Sequence, residues 1–236
     1  MSPYRYRDGL KDGLPIGLGY LSVSFGFAIW AIRQGLPKLF TILVSATNLT
    51  SAGQVAGVVI MASGGLLMEM AATQFVINLR YSLMSISLTQ KLEDGFHTGK
   101  RLLAAYFITD EIFAVASTKK DRIGLPYLLG LGTLPWLGWV CGTALGAFAG
   151  DLLPATLCAA LGIAIYGMFL AIFLPACRDE FGVLIAVGIS IAVGCILRYV
   201  PWFSFLSEGF VIILAAIVGA VVAAWLRPIS EEVEQP

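Results

Sequence analysis

Glu69, Thr73 and Arg80 are separated by four and seven residues. At about 100° per residue this spacing puts all three on one stripe of a helix. Gln74 and Asn78 lie beside that stripe, and the surrounding stretch is apolar. An ionised group in such surroundings needs a partner or a cavity. Arg80 is therefore a candidate to attract a carboxylate, either of a bound molecule or of Asp110. Asp110 and Glu111 form a second constellation. Being adjacent on a helix, they point about 100° apart, so one can pair with Arg80 while the other takes up a proton. A purely structural ion pair between Arg80 and Asp110 or Glu111 is the competing reading. The third constellation is Asn48-Leu49-Thr50-Ser51-Ala52-Gly53-Gln54, rich in amides and hydroxyls. Gly53 permits a backbone turn or close approach. If a helix breaks here, a second half starts near Ser51 or Gly53, and its N-terminal amides suit a carboxylate. A continuous helix with its polar groups bonded to neighbours is the alternative. Asn48, Ser51, Gly53, Gln54 and Asn78 are thus candidate binding residues, and Arg80, Asp110, Glu111 and Glu69 candidate carriers of charge or protons.

The elements that must position these groups follow from composition. The 236 residues are 58% hydrophobic and only 13% charged, with mean hydropathy +0.86. Between Gly124 and Leu226 the only charged residues are Asp151, Arg178, Asp179, Glu180, Arg198 and Glu208. So few ions do not cover a water-soluble surface. The apolar runs approach the ~20 residues of a bilayer-spanning helix. The expected fold is an all-α polytopic membrane protein with apolar segments near 14–32, 39–62, 64–90, 102–117, 124–149, 155–175, 181–197 and 201–226. Residues 1–13 read as a basic cytoplasmic tail, 14–226 as a single membrane domain, and 227–236 as an acidic C-terminal tail. The first apolar run is too long for the core of a signal peptide and reads as a retained helix, its basic start in the cytoplasm.

Two segments are irregular. The second is interrupted at Asn48–Gln54, and the fourth is short with Thr109, Asp110 and Glu111 in its middle. Polar or irregular backbone at membrane depth is tolerated where protein or water surrounds it, and such interruptions point to transporter sites. Lys91, Lys100 and Arg101 make one basic loop and Lys119, Lys120 and Arg122 the next, with only the fourth segment between them. If both loops are cytoplasmic, that segment enters and leaves on one side; the charge rule favours this over a full span. The count is seven or eight segments, with at least one broken or re-entrant helix. Gly138, Gly142, Gly146 and Gly150 form a bare strip for close helix approach, either a static contact or a sliding surface. Pro126 and Pro135 predict a kink or a broken first half in the same segment.

Other chemistry finds no support. Cys141, Cys158, Cys177 and Cys195 form no C-x-x-C pair, and His97 is the single histidine, in a charged loop. No metal site and no cofactor are expected. There is no G-x-S-x-G, P-loop or H-E-x-x-H, so no enzyme is expected. A formal net charge of 0 disfavours nucleic-acid binding. Trp136, Trp139, Trp202 and Trp225 read as interfacial residues near segment ends.

Leu14-Pro-Ile-Gly-Leu-Gly-Tyr20, Ser51-Ala52-Gly53-Gln54, Asn78-Leu79-Arg80-Tyr81, Ser87-Leu88 and Thr109-Asp110-Glu111-Ile112-Phe113-Ala114 resemble, in order and spacing, the first half of AzlC-type proteins. Gly162–Leu174 is a weaker anchor in the second half. The resemblance implies the large subunit of a bacterial inner-membrane exporter of branched-chain amino acids, working with a small hydrophobic AzlD-type subunit. The family usually has His where this chain has Tyr81, which removes a proton-handling group. Its A-G-x-x-Q stretch reads Thr50-Ser51-Ala52-Gly53-Gln54 here. The expectation is a proton-coupled secondary transporter, since no nucleotide-binding sequence is present. A passive channel and a non-transport membrane scaffold are the alternatives; costly charge at Arg80, Asp110 and Glu111 argues against the scaffold.

Overall fold

The computed structural model describes residues 2–150, 152–154, 156, 170, 174–175 and 177–227. Most of the sixth apolar segment and residues 228–236 of the acidic tail lie outside them. The described chain is helical: α1 Tyr6–Arg33, α2 Lys38–Thr47, α3 Ser51–Ala62, α4 Leu67–Thr89, α5 Thr98–Ala105, α6 Asp110–Ser117, α7 Leu125–Ala149, α8 Phe181–Tyr199 and α9 Glu208–Leu226. Among the described residues, four of these, α1, α7, α8 and α9, are long and apolar enough to cross a membrane. Continuous spanning helices among the described residues therefore do not confirm the count of seven or eight segments. The described residues within 1–58 and 77–166 form one compact unit, and those within 59–76 and 167–236 a second.

The first unit is built on α1 and α7. Their contacts advance in the same direction along both helices: Gly9 lies against Tyr127 and Leu131, Gly17 against Leu134, and Gly146 against Phe25. The pair is parallel. A Cβ on Gly138 would strike the Gly17 carbonyl, and one on Gly142 the Leu21 carbonyl. The glycine strip of α7 thus receives the backbone of α1, which itself offers Gly9, Gly13 and Gly17. Small residues on both sides bring the two backbones together, and dispersion rather than water expulsion holds such a contact in lipid. The strip is filled from within the chain and is not left over for another subunit. α7 is not broken in its first half. Pro126 sits in its first turn, where the missing N–H costs nothing, and the helix runs on through Pro135.

The polar residues at the start of the chain join α1, whose helix begins at Tyr6, eight residues before the apolar run. Asp12 pairs with Lys119 at 2.7 Å and accepts the Tyr127 hydroxyl at 2.7 Å. The two basic loops adjoin each other there. Leu92 and Ile123 form a parallel bridge, with Ile123 N–H donating to the Lys91 carbonyl at 2.8 Å and Glu93 N–H to the Ile123 carbonyl at 3.0 Å. Arg122 pairs with Asp94. The chain between these loops returns to the end it left. It does so as two helices, α5 and α6, of eight residues each, about 12 Å long and far short of a ~30 Å hydrocarbon core.

In the second unit α8 and α9 run antiparallel, since Gly219 meets Ala186 and Ser190 while Gly194 meets Ala215. Arg198 and Glu208 pair at 2.5 Å where the two helices connect.

Candidate functional site

The second apolar segment breaks at Asn48–Thr50. Asn, Thr and Ser side chains compete for backbone groups and so favour a break. Asn48 adopts extended backbone after α2, and its Oδ1 accepts the Thr50 N–H at 3.2 Å. Carbonyls at the end of α2 have no helical partner. Gln54, only 3% exposed, reaches back to supply one: its Nε2 donates to the Asn48 carbonyl at 2.9 Å and to the Val44 carbonyl at 3.3 Å. Its Oε1 accepts the Trp139 indole N–H at 3.0 Å.

The fourth segment breaks at Tyr106–Thr109. Thr109 is the N-cap of α6, its hydroxyl accepting the Ile112 N–H at 3.4 Å. Asp110 and Glu111 are therefore the first two residues of a half-helix, not the middle of a continuous one, and both stand where helix amides carry partial positive charge. The Phe107 ring occupies the space that the absent side chain of Gly132 leaves on α7.

The two breaks meet beside the middle of α1 and α7. Tyr106 and Trp136 both donate to the Ala46 carbonyl, the indole at 3.1 Å, and Trp136 N–H is 3.0 Å from the Tyr106 oxygen. Leu49 packs with Tyr20 and Trp139 in one buried cluster that Phe107 and Trp136 border. The Tyr20 ring stands edge-on to Trp139 at 5.3 Å. Its hydroxyl lies 2.5 Å from Glu111 Oε2 and 2.8 Å from Thr109 Oγ1. Beside Glu111, Arg80 Nη1 is 2.6 Å from Asp110 Oδ2, with the side chains 36% and 26% exposed. The Arg80 guanidinium also lies over the Tyr81 ring, 4.9 Å from its centroid, and donates to the Tyr81 hydroxyl at 3.3 Å.

The structure thus brings Asn48, Gln54, Arg80, Asp110 and Glu111 into one chain of contacts. Ser51 opens α3 and Gly53 is buried in its first turn. Asn78 precedes Arg80 by two residues on α4, about 200° around the helix from it. Glu69 belongs elsewhere. It lies with Thr73 in the second compact unit, whereas Arg80 lies in the first. Glu69 is 2% exposed, and its Oε1 accepts the Gly209 N–H at 2.7 Å. It also takes a hydrogen bond from the backbone of Leu66. One carboxylate therefore caps two helix starts, those of α4 and α9.

Tyr20, Tyr106, Trp136 and Trp139 are the functional neighbours that motif reading did not supply. Trp139 is 1% exposed, and both tryptophans lie in the middle of α7 rather than at an interface. A detectable signal existed in the sequence. Ala46-Thr-Asn-Leu49-Thr50-Ser51 and Ala105-Tyr-Phe-Ile108-Thr109-Asp110 share the pattern Ala, two residues, an aliphatic, Thr, then Ser or Asp. In both, the helix restarts directly after the Thr.

Chemically, the junction joins the carbonyl end of α2, the amide starts of α3 and α6, two carboxylates and one guanidinium. Such a site offers partners to both charges of a small zwitterion. Comparison with known proteins gives a family model, described as AzlC protein, that matches residues 15–153. The inner membrane protein YgaZ of Escherichia coli (strain K12) is 31% identical over 179 residues, covering 72% of this chain and 73% of that protein. An uncharacterized membrane protein of Archaeoglobus fulgidus is 30% identical over 224 residues, covering 93% of this chain and 94% of that one. No solved structure matches the chain.

Proposed function

The chain belongs to the AzlC family, and from that premise we propose that it is a multi-pass inner-membrane secondary transporter that exports branched-chain amino acids by proton exchange. The observation that carries this reading is the meeting of two helix breaks at mid-length of α1 and α7, joined through Gln54, Trp139, Tyr20 and Glu111. Broken helices whose ends converge at the midplane are the usual construction of a transporter site. A channel needs polar pore walls but no carboxylates tied into a closed junction, and a scaffold gains nothing from Arg80, Asp110 and Glu111 in an apolar segment.

In this reading the amino acid's carboxylate is held by the backbone amides that open α3 near Ser51 and Gly53. Its ammonium group faces Asp110 or Glu111. Both ends of the Gln54 amide are engaged within the protein, so Gln54 holds the break in shape rather than touching the ligand directly. Leucine, isoleucine, valine and methionine share the site, because an apolar pocket separates one methylene by only ~1–3 kcal/mol. Tyr81, in the place of the family's usual His, supplies a ring on which Arg80 rests. The N-terminus is cytoplasmic, on the side of the basic loops. A small AzlD-type membrane protein completes the transporter, and co-expression should yield a heteromer in mild detergent.

The test is export of labelled leucine from preloaded vesicles with and without an imposed pH gradient. Export that accelerates with the gradient supports the proposal. Gradient-independent leak that never exceeds equilibration indicates a channel, and no flux of any of the four amino acids, with the partner present, overturns transport.

A further inference from the structure

Two carboxylates share the first turn of α6, and their surroundings differ in kind. Asp110 faces a cation, with Arg80 Nη1 at 2.6 Å. Glu111 faces a neutral hydroxyl, that of Tyr20 at 2.5 Å. Among the described residues no cation is paired with Glu111. Tyr20 from α1, Tyr81 from α4 and Asp110 from α6 itself each interact electrostatically with it. Arg80 is committed to Asp110 and rests on Tyr81.

This rests on the transport reading above and sharpens it: we infer that Glu111, not Asp110, is the group that takes up and releases the proton, with the Tyr20 hydroxyl as its fixed partner. A proton added to Asp110 leaves Arg80 without its counter-ion in a half-buried position. Stranding one member of a close ion pair is the costly way to change its charge. A proton added to Glu111 leaves the Arg80–Asp110 pair intact and removes a negative charge that has no cation of its own.

The Tyr20 O–H has two acceptors in reach, Glu111 Oε2 and Thr109 Oγ1 at 2.8 Å. With Glu111 ionised, Tyr20 donates to the carboxylate. With Glu111 protonated, its own O–H donates to the Tyr20 oxygen, and the Tyr20 hydrogen turns to Thr109. Both states are satisfied by rotating hydrogens alone, and no heavy atom moves. A site that must be occupied and emptied in each cycle benefits from paying no penalty for an unmade bond in either state. Tyr20 is only 8% exposed and stands edge-on to Trp139, whose N–H holds Gln54 at the other break. Glu111 thus stands at one end of a row of contacts that runs through Tyr20 and Trp139 to Gln54 near the start of α3.

Infrared difference spectroscopy of the reconstituted full-length protein between acidic and mildly alkaline pH reads carboxyl protonation directly, whatever the cargo. The expected result is a titrating carboxylic-acid band that Glu111→Gln abolishes and Asp110→Asn leaves in place. In Tyr20→Phe the band stays, but its carbonyl stretch moves to higher frequency, because the protonated Glu111 loses the Tyr20 oxygen as its hydrogen-bond acceptor. In vesicles, Glu111→Gln should also remove the response of leucine export to an imposed pH gradient. A band that survives Glu111→Gln, or one lost with Asp110→Asn instead, overturns the assignment. If Glu111→Gln does not fold, an unmoved band frequency in Tyr20→Phe overturns it equally. Failure of the wild type to export any amino acid would refute the transport reading while leaving the infrared result to decide on Glu111.

Discussion

Trp139 on α7 donates its indole N–H to the side-chain oxygen of Gln54 on α3 at 3.0 Å, so the first break is locked to the helix that carries the rest of the site. The amide nitrogen of Gln54 meanwhile serves the Val44 and Asn48 carbonyls. Replacing Gln54 by Ala leaves a buried indole N–H and the Asn48 carbonyl without their partner, while the Val44 carbonyl keeps the Asn48 N–H. Each such loss costs about 1–3 kcal/mol. The expected outcome is a lower unfolding temperature together with weaker export of leucine, isoleucine, valine and methionine in parallel. Thermal unfolding in detergent, followed by tryptophan fluorescence, checks the first part. An unaltered unfolding temperature would show that the latch bears no weight.

Arg80 and Asp110 form a close pair that is still partly exposed. A sealed pair costs about 3–5 kcal/mol when one partner is removed, and an exposed pair about 1 or less. Arg80→Ala is therefore expected to lose about 1–3 kcal/mol, between those limits. The double change Arg80→Gln with Asp110→Asn strands no charge and should be produced at higher yield than either single variant. Purified yield of the three variants, compared in one host, tests this. A double variant that is worse than both singles would show that the two residues do not act on each other.

How much of this was legible depends on the range of the interaction. The run Asn48–Gln54 announces a break because its amides and hydroxyls act on backbone within a few residues, and α2 ends and α3 begins inside it. The return of the chain between the two basic loops follows from loop charge, which the Leu92–Ile123 bridge matches. Helical spacing alone groups Glu69 with Arg80. Its actual partner, Gly209, is 140 residues away, and nothing in a local pattern names it. The partners of Tyr20 and Trp139 are hidden for a related reason, and Trp139 reads as interfacial. An aromatic ring in an apolar run fits lipid as well as core, and only the assembled α1–α7 pair shows that their polar tips meet Glu111 and Gln54.

The α1–α7 contact predicts two opposite responses to added methyl groups. A Cβ on Gly142 would strike the Leu21 carbonyl and the Ser24 hydroxyl, whereas Gly19 has nothing within 4 Å. Overpacking costs about 1–3 kcal/mol where side chains can yield. Backbone carbonyls yield less, so Gly142→Val should abolish the monodisperse peak in size-exclusion chromatography. Gly19→Ala should elute as the wild type. Equal behaviour of the two variants would mean that the helices do not meet at Gly142.

The joined basic loops make a topological prediction. Asp94 is 97% exposed along its side chain and Lys120 is exposed, one on each side of the α5–α6 hairpin. Two eight-residue helices reach about halfway across a ~30 Å hydrocarbon core and must come back. In a background without Cys141, Cys158, Cys177 and Cys195, Asp94→Cys and Lys120→Cys should therefore react with an impermeant maleimide from the same membrane face. That face should be the cytoplasmic one, because the two loops together gather Lys91, Lys100, Arg101, Lys119, Lys120 and Arg122. Labelling in oriented vesicles, right-side-out against inverted, separates the outcomes. Reaction of the two positions from opposite faces would mean that the fourth segment crosses the bilayer, and the meeting of the two breaks at mid-length would then need a different path for α5 and α6.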